Sequence, residues 1–142
     1  IGSKFLHAGP GFGGSCFPKD TRALVKIALD HDVQLRIVEA VLGVNDNRKR
    51  AMARKVSNAV GGSLRGKTIA VLGLTFKPDT DDLRESRALE LCRALVQAGA
   101  TVRAHDPMAL PAAAPLLPGV SPCPDPQIAV DIVSYLPQLP KQ

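Results

Sequence analysis

The chain has 142 residues, of which 45% are hydrophobic and 22% are charged. This length suffices for one ordinary domain or two small ones, and the composition excludes collagen-like, disulfide-rich and wholly disordered chains. No apolar run approaches the roughly 18 residues of a membrane span, and no leader sequence points to secretion. Three cysteines without paired spacing indicate reduced thiols, so we expect a cytoplasmic protein with no membrane contact.

The net charge of +5 is unevenly placed along the chain. Residues 1–66 hold 11 Lys and Arg against 5 Asp and Glu, whereas residues 67–142 hold 7 against 8. A basic half suits either nucleic acid or a phosphorylated small molecule. Aromatic residues make up only 4% of the chain, and a stacking platform for single strands needs several. We therefore expect a small anionic ligand and no nucleic acid.

The first half predicts a loop followed by two helices. Four glycines and two prolines in residues 9–20 predict a shaped loop, with Asp20 as the N-cap of a helix over 21–29. A second helix is predicted from about residue 34 to residue 60, where Gly61 and Gly62 end it. Its basic positions are expected to form a solvated face: Arg48, Lys49, Arg50, Arg54 and Lys55. Because the chain opens mid-pattern at an Ile, we expect a fragment.

The second half predicts an α/β unit. The apolar run 68–74 predicts a strand buried on both faces of a parallel sheet. A polar loop, a helix capped by Ser86 and closed by Gly99, and a strand over 101–106 complete a βαβ unit.

Beyond residue 107 the periodic signal fades. Nine of the twelve prolines lie at or after this position. Short helical turns are expected at 109–117 and 127–135, with no later strand.

Cys16 is the clearest chemical feature of the glycine-rich loop. It precedes the predicted helix by a few residues and has Lys19 nearby, and both the helix dipole and the cation favour a thiolate. A thiolate could attack a carbonyl, and Asp20 could act as a general base on water. Spacing alone leaves a second interpretation open, a buried structural cysteine.

The polar loop after the first predicted strand is a second candidate site, because ligands of open α/β sheets lie beyond the carboxyl ends of the strands. Lys77 and Arg84 could neutralise a phosphate there. Asp106 ends the next strand, as ribose-binding acids do, although it stands 33 residues after Gly73 rather than the usual interval of about 20. A solvated acidic loop is an equally good interpretation. No His or Cys spacing predicts a metal site.

Two long motifs carry a family resemblance that covers roughly residues 1–108. Residues 11–20, Gly-Phe-Gly-Gly-Ser-Cys-Phe-Pro-Lys-Asp, resemble the active-site loop of the UDP-glucose/GDP-mannose dehydrogenase family. Residues 73–84, Gly-Leu-Thr-Phe-Lys-Pro-Asp-Thr-Asp-Asp-Leu-Arg, resemble the nucleotide-sugar loop of the same family. Residues 34–41 and 44–49 are most similar to the branch that oxidises UDP-glucose.

The resemblance implies a fold of class α plus α/β. Residues 1–66 would be the tail of an all-helical central domain that forms much of a dimer interface. Residues 67–142 would be a partial Rossmann-like nucleotide-sugar-binding domain. It also implies a homodimer or higher homo-oligomer.

The activity implied is a two-step oxidation of UDP-glucose to UDP-glucuronate with NAD. Cys16 would form a thiohemiacetal and then a thioester, and Asp20 would assist the water that hydrolyses it. The alternatives are a GDP-mannose or UDP-N-acetyl-hexosamine dehydrogenase of the family, or a non-catalytic dimerisation fragment. The family's G-x-G-x-x-G domain has no counterpart here, so we expect the chain alone to be inactive.

The same resemblance implies roles for individual residues. Those implied to contact NAD are Cys16, Phe17, Lys19 and Arg84. Those implied to contact the nucleotide sugar are His7, Ala8, Gly9, Pro10, Gly11, Phe12, Gly13, Phe76 and Lys77.

Overall fold

A computed structural model describes residues 2–3 and 9–130 of the chain. Two long helices precede a three-stranded parallel sheet with the order β1-β2-β3. The helices and strands follow in chain order as α1 (Cys16–Asp30), α2 (Arg36–Ala59), β1 (Thr68–Leu72), α3 (Arg87–Gln97), β2 (Thr101–His105), α4 (Leu110–Ala113), a 3-10 turn (Ala114–Leu116), β3 (Val120–Pro122) and α5 (Pro126–Val130). This combination confirms the predicted class, α plus α/β. In the part described, no helix is long and apolar enough to cross a membrane.

The predicted βαβ unit is present as β1, α3 and β2. The two strands pair in parallel, with Thr68 opposite Thr101. The hydroxyl of Ser86 accepts a hydrogen bond from the Ala88 N–H at 3.2 Å, which confirms it as the N-cap of α3. Gly99, with φ near +90°, turns the chain between α3 and β2 as expected.

The strand β1 is shorter and more exposed than its apolar run predicts. Ile69 and Val71 are buried, but Leu72 is 55% exposed, so the expectation of burial on both faces is wrong. β1 stands at the edge of the described sheet, and Leu72 lines a cavity described below. Gly73 then takes a φ near +90° and ends the strand before Leu74.

The structure also contains a third strand that the sequence analysis did not predict. β3 pairs with β2 in parallel, with Val102 opposite Val120. Three residues ending in a proline are too short for a periodic signal, and an edge strand tolerates Pro122 because its outer N–H has no partner to lose. The turn predicted at 109–117 is confirmed by α4 and the 3-10 turn. α5 lies in the predicted segment 127–135, whose last five residues lie outside the described part.

The helix α1 begins earlier than predicted. Its first residue is Cys16, with Ser15 at the N-cap position, so Asp20 lies inside the helix rather than at its cap. Gly14 takes a φ near +79° and turns the chain just before it. Pro18 is tolerated because the N–H groups of a first helical turn have no intrahelical acceptor.

The hydrophobic core lies between α3 and the sheet. Its fully buried members include Leu74, Leu95 and Val102. Cys92 is also fully buried there, as expected, and its burial raises the pKa of the thiol to about 11.

Asp106 is a structural residue of this core and matches neither interpretation of the sequence. Its buried carboxylate accepts hydrogen bonds from the N–H groups of Leu74 at 2.7 Å, Met108 at 2.9 Å and Ala109 at 2.7 Å. Burial alone would raise the pKa of Asp106, but these backbone donors lower it below its usual value. The carboxylate thus ties the end of β1 to the segment before α4.

Candidate functional site

The glycine-rich loop is held in place by two side chains of α2. The side-chain oxygen of Asn45 accepts from the Phe12 N–H at 2.8 Å, and its amide donates to the Phe12 carbonyl at 3.3 Å. One turn further along, Arg48 donates to the Gly9 carbonyl at 2.6 Å. Asn45 is buried, so these bonds are shielded from water. Asn45 was not among the residues predicted from the sequence, although a polar residue at an apolar position of a helix was the available signal.

The loop packs directly on the segment that follows β1. The Gly14 N–H donates to the Arg84 carbonyl at 3.0 Å, and a β-carbon at Gly14 would come within 2.7 Å of the Phe76 ring. A β-carbon at Gly13 would overlap the Glu85 carbonyl oxygen. Only glycine permits this close approach. The structure therefore brings together the two segments that were predicted separately as candidate sites.

Cys16 lies in the first turn of α1, two residues beyond this contact, and its thiol is exposed. Lys19 and Asp20 are exposed in the same helix and form an ion pair at 2.7 Å. The hydrogen bond to Asp20 is the main cause that raises the pKa of Lys19, and Cys16 contributes to the same shift. Asp82 chiefly raises the pKa of Arg84, and Cys16 again contributes. The sulfur therefore lies within electrostatic range of both cations.

The loop between β1 and α3 is stabilised by hydrogen bonds among its own residues. The Arg84 guanidinium donates to both carboxylate oxygens of Asp82, at 2.7 to 3.1 Å, and these bonds lower the pKa of Asp82 to about 2. The Phe76 N–H donates to the Asp82 carbonyl at 3.1 Å. The Lys77 ammonium lies 5.6 Å from the centre of the Phe76 ring, an arrangement in which the cation is attracted to the ring face. An exposed cation and an aromatic face are thus presented side by side.

Lys49 departs from the solvated face predicted for α2. Its side chain is only 11% exposed, and its ammonium lies 3.6 Å from Asp46, 3.3 Å from Glu85 and 3.0 Å from Glu90. Burial alone would raise the pKa of Glu85, but the hydrogen bond and charge of Lys49, together with Arg22, lower it. Lys49 thus bridges α2 to the start of α3.

A cavity of about 440 Å³ opens where the loop, α2 and the end of β1 meet. Its wall carries three cations and one phenyl ring, and no carboxylate belongs to its lining. The lining includes two residues of the glycine-rich loop, the three cations and the phenyl ring: Pro10, Gly11, Lys49, Lys77, Arg87 and Phe76. Its shape and charge suit an anionic ligand that carries a flat or apolar ring.

Of the predicted substrate residues, Pro10, Gly11, Phe76 and Lys77 line this cavity. Gly9, Phe12 and Gly13 belong to the same loop but are not part of the lining. Phe17 lies in the first turn of α1, with its ring 5.8 Å from that of Phe12. His7 and Ala8 lie outside the described residues. Across residues 9–130, no group of His, Cys, Asp or Glu is arranged to hold a metal ion.

Two domain descriptions of one family match this chain. The central domain of the UDP-glucose/GDP-mannose dehydrogenase family matches residues 1–47, and the UDP-binding domain of the same family matches residues 70–136. The chain belongs to the UDP-glucose/GDP-mannose dehydrogenase family. The two matches cover the glycine-rich loop and the Phe76 loop respectively, so the resemblance stated from the motifs is confirmed.

Individual members of the family agree with this assignment. The chain is 61% identical over 126 residues to a UDP-glucose 6-dehydrogenase of Rhizobium meliloti, a match over 89% of this chain and 29% of that protein. A solved UDP-glucose dehydrogenase from Pyrobaculum islandicum superposes with a TM-score of 0.86 at 46% identity, over 94% of this chain and 31% of that one. A GDP-mannose dehydrogenase from Pseudomonas aeruginosa superposes with a TM-score of 0.79 at 27% identity, over 93% and 32%. The chain therefore spans about 30% of the length of these relatives.

Proposed function

We propose that this chain supplies the nucleophile and the nucleotide-sugar pocket of a longer NAD-dependent dehydrogenase that converts UDP-glucose to UDP-glucuronate. The packing of Gly14 against Phe76 is the observation that carries the proposal. Only Ser15 separates Gly14 from Cys16, which supports a position of the proposed nucleophile close to this cavity. In this assignment residues 1–66 belong to the helical central domain and residues 67–142 to the sugar-binding domain.

The chemistry proposed for Cys16 begins after the sugar alcohol has become an aldehyde. The oxidant for each of the two steps would be a bound NAD, which would supply a hydride acceptor. The Cys16 thiolate adds to the aldehyde carbon, and the carbonyl oxygen takes up a proton to give a thiohemiacetal. Loss of the second hydride and of the hydroxyl proton leaves a thioester on Cys16. Its carbon is then activated towards water.

Hydrolysis of the thioester is the step proposed for Asp20. The carboxylate takes a proton from the attacking water, the carbon–sulfur bond breaks, and the product leaves as a carboxylate with Cys16 released. Asp20 is exposed one helical turn from Cys16, and it forms an ion pair with Lys19 at 2.7 Å.

The NAD contacts proposed for this chain cover only one edge of the cofactor. Lys19 and Arg84 are exposed cations within electrostatic range of Cys16, and they fit one edge of a dinucleotide diphosphate. Both already have a carboxylate partner, Asp20 and Asp82 respectively. We therefore propose that a further NAD-binding domain provides most of the cofactor site, and that the chain by itself does not turn over substrate.

The identity of the nucleobase is the part of the proposal that titration calorimetry tests directly. UDP is expected to bind to the full-length protein at least about tenfold more tightly than GDP, since a larger purine must displace pocket walls. Equal affinities, or a preference for GDP, would instead favour the GDP-mannose alternative. Failure of both nucleotides to bind would refute the proposed nucleotide-sugar pocket.

We also propose that the helical half packs against a second copy of the chain. Apolar side chains stand exposed along the two long helices: Leu24, Ile27, Ile37, Val41 and Val44. Ile37 is 82% exposed and lines a mostly apolar groove with Phe12. A stripe of this kind is typical of an interface, and a two-fold dimer buries it on both copies at once.

Replacing Ile37 by Asp is expected to shift the protein from dimer to monomer, because the interface would then bury an unpaired carboxylate. Light scattering after size exclusion measures the mass directly. Lys55→Asp, on the exposed basic side of the same helix, serves as the matched control and should leave the dimer intact. A dimer that survives Ile37→Asp would place the interface elsewhere.

A further inference from the structure

Arg87, the first residue of α3, is a buried cation without a hydrogen-bond partner. Arg87 is only 7% exposed, and all three of its guanidinium nitrogens are shielded from solvent. No acceptor for them occurs among residues 2–3 and 9–130. Neither the catalytic steps proposed for Cys16 nor the family motifs assign a role to this residue.

The guanidinium lies directly under the glycine-rich loop. A β-carbon at Gly11 would come within 3.2 Å of its Nε, and one at Gly13 within 3.0 Å of an Nη. Arg87 also lines the 440 Å³ cavity, together with Lys49 and Lys77. The side chain therefore lies where the loop, the helix α3 and the cavity meet.

The carboxylates around Arg87 act on its charge without accepting its hydrogen bonds. Burial lowers the pKa of Arg87, while Glu90, Glu85 and Asp46 raise it. All three of these carboxylates are within 3.6 Å of the Lys49 ammonium instead. An arginine guanidinium stays ionised in proteins, and the five N–H donors of Arg87 have no acceptor among the described residues.

Burying such donors without acceptors is unfavourable, so a bound acceptor would stabilise this arrangement. A guanidinium presents its donors in a planar fork that matches the oxygens of a phosphoryl group. Lys77, an exposed cation on the same cavity wall, favours the same sign of ligand charge. Lys49 is occupied by its three carboxylates and Lys77 is exposed, which leaves Arg87 as the buried cation whose donors have no acceptor among the described residues.

We propose that Arg87 binds the diphosphate of the nucleotide ligand and so determines its affinity for a nucleoside diphosphate over an uncharged nucleoside. This role rests on the nucleotide-sugar pocket proposed above and adds a residue to it. Binding would require the loop over Arg87 to shift enough for the guanidinium nitrogens to meet the phosphoryl oxygens. Arg87 then contributes to ligand affinity and not to the chemistry at Cys16.

The test compares two ligands, uridine and UDP, by NMR titration of the full-length protein. Arg87→Met is expected to weaken UDP binding at least about tenfold, as the loss of a charged hydrogen bond does, and to leave uridine binding within about twofold. Arg93→Met removes an exposed arginine from the same helix and should change neither affinity. Should Arg87→Met fail to fold, Arg87→Gln keeps a polar side chain and gives the same comparison.

Two results would overturn the role of Arg87. One is unchanged UDP affinity in a folded Arg87 variant, and the other is an equal loss of uridine and UDP affinity, which marks a purely structural residue. Absence of UDP binding by the unmodified protein is a different outcome, because it refutes the pocket itself. The unmodified protein thus separates failure of the proposed function from failure of this inference.

Discussion

Replacing Cys16 by Ser in the full-length protein is expected to reduce UDP-glucuronate formation on the order of 10³-fold or more. A serine hydroxyl is not ionised near neutral pH, and the described residues around position 16 offer no His to activate it. Without the sulfur, the covalent adduct that carries the second oxidation does not form. Chromatography with mass detection measures the acid directly, and any aldehyde released after the first step appears in the same trace.

Cys123→Ala is the matched control for this experiment, because Cys123 is buried away from the glycine-rich loop and has no part in the proposed chemistry. Its acid formation should stay within about twofold of the unmodified protein once folding is verified. Acid formation that persists in Cys16→Ser would contradict the catalytic assignment. The chain would then be a non-catalytic dimerisation fragment that keeps the family fold.

Replacing Asp106 by Ala is expected to destabilise the protein by about 3 kcal/mol, since three backbone N–H groups lose their acceptor, two of them in fully buried hydrogen bonds. The midpoint of thermal unfolding should fall by roughly 10 °C. Asp81→Ala removes an exposed carboxylate from the same half of the chain and should have little effect.

The contribution of Asp106 to the free energy of unfolding should also depend on pH. Its pKa is lowered in the folded protein, so its contribution is fully present above the unfolded value of about 4 and is lost as the pH falls below it. The difference in stability between the unmodified protein and Asp106→Ala should therefore narrow in acid. A gap that stays constant down to pH 2, or widens, would contradict the role of the ionised carboxylate.

Much of the fold follows from local signals that act within a few residues. Ser86 precedes a helical pattern and caps it, and the glycine pair at 61 and 62 ends α2 with φ near +90° at both positions. The βαβ unit follows from an apolar run, a helical period and a second apolar run. Such signals are caps, turn residues and hydrophobic periodicity, and each of them involves only neighbouring residues of the sequence.

The features that the sequence analysis missed depend on contacts between distant segments. Just before α1 begins at Cys16, the Gly14 N–H donates to the carbonyl of Arg84, a residue 70 positions further along the chain. Lys49 looked like part of a solvated stripe because two of its three carboxylate partners are distant in sequence: Glu85 lies in the segment before α3, and Glu90 lies in α3. Arg87 follows a motif arginine and an N-cap, and nothing local marks it as buried.

The site itself was predicted through its motifs rather than through its geometry. Cys16 and Phe76 were each marked by unusual local sequence, but only the packing of Gly14 on the Phe76 ring shows that their two segments are in contact. Asn45 holds that loop from α2, a role that needs a tertiary hydrogen bond to be visible.

Alkylation of Cys16 by iodoacetamide, with and without UDP-glucose, tests most directly whether the sulfur lies at the nucleotide-sugar site. Cys16 is exposed while Cys92 and Cys123 are buried, so peptide mapping should find Cys16 modified first. UDP-glucose at about ten times its Kd should slow that reaction roughly tenfold by occupying the site. An unchanged rate at Cys16, with UDP-glucose bound to the same sample, would contradict the account.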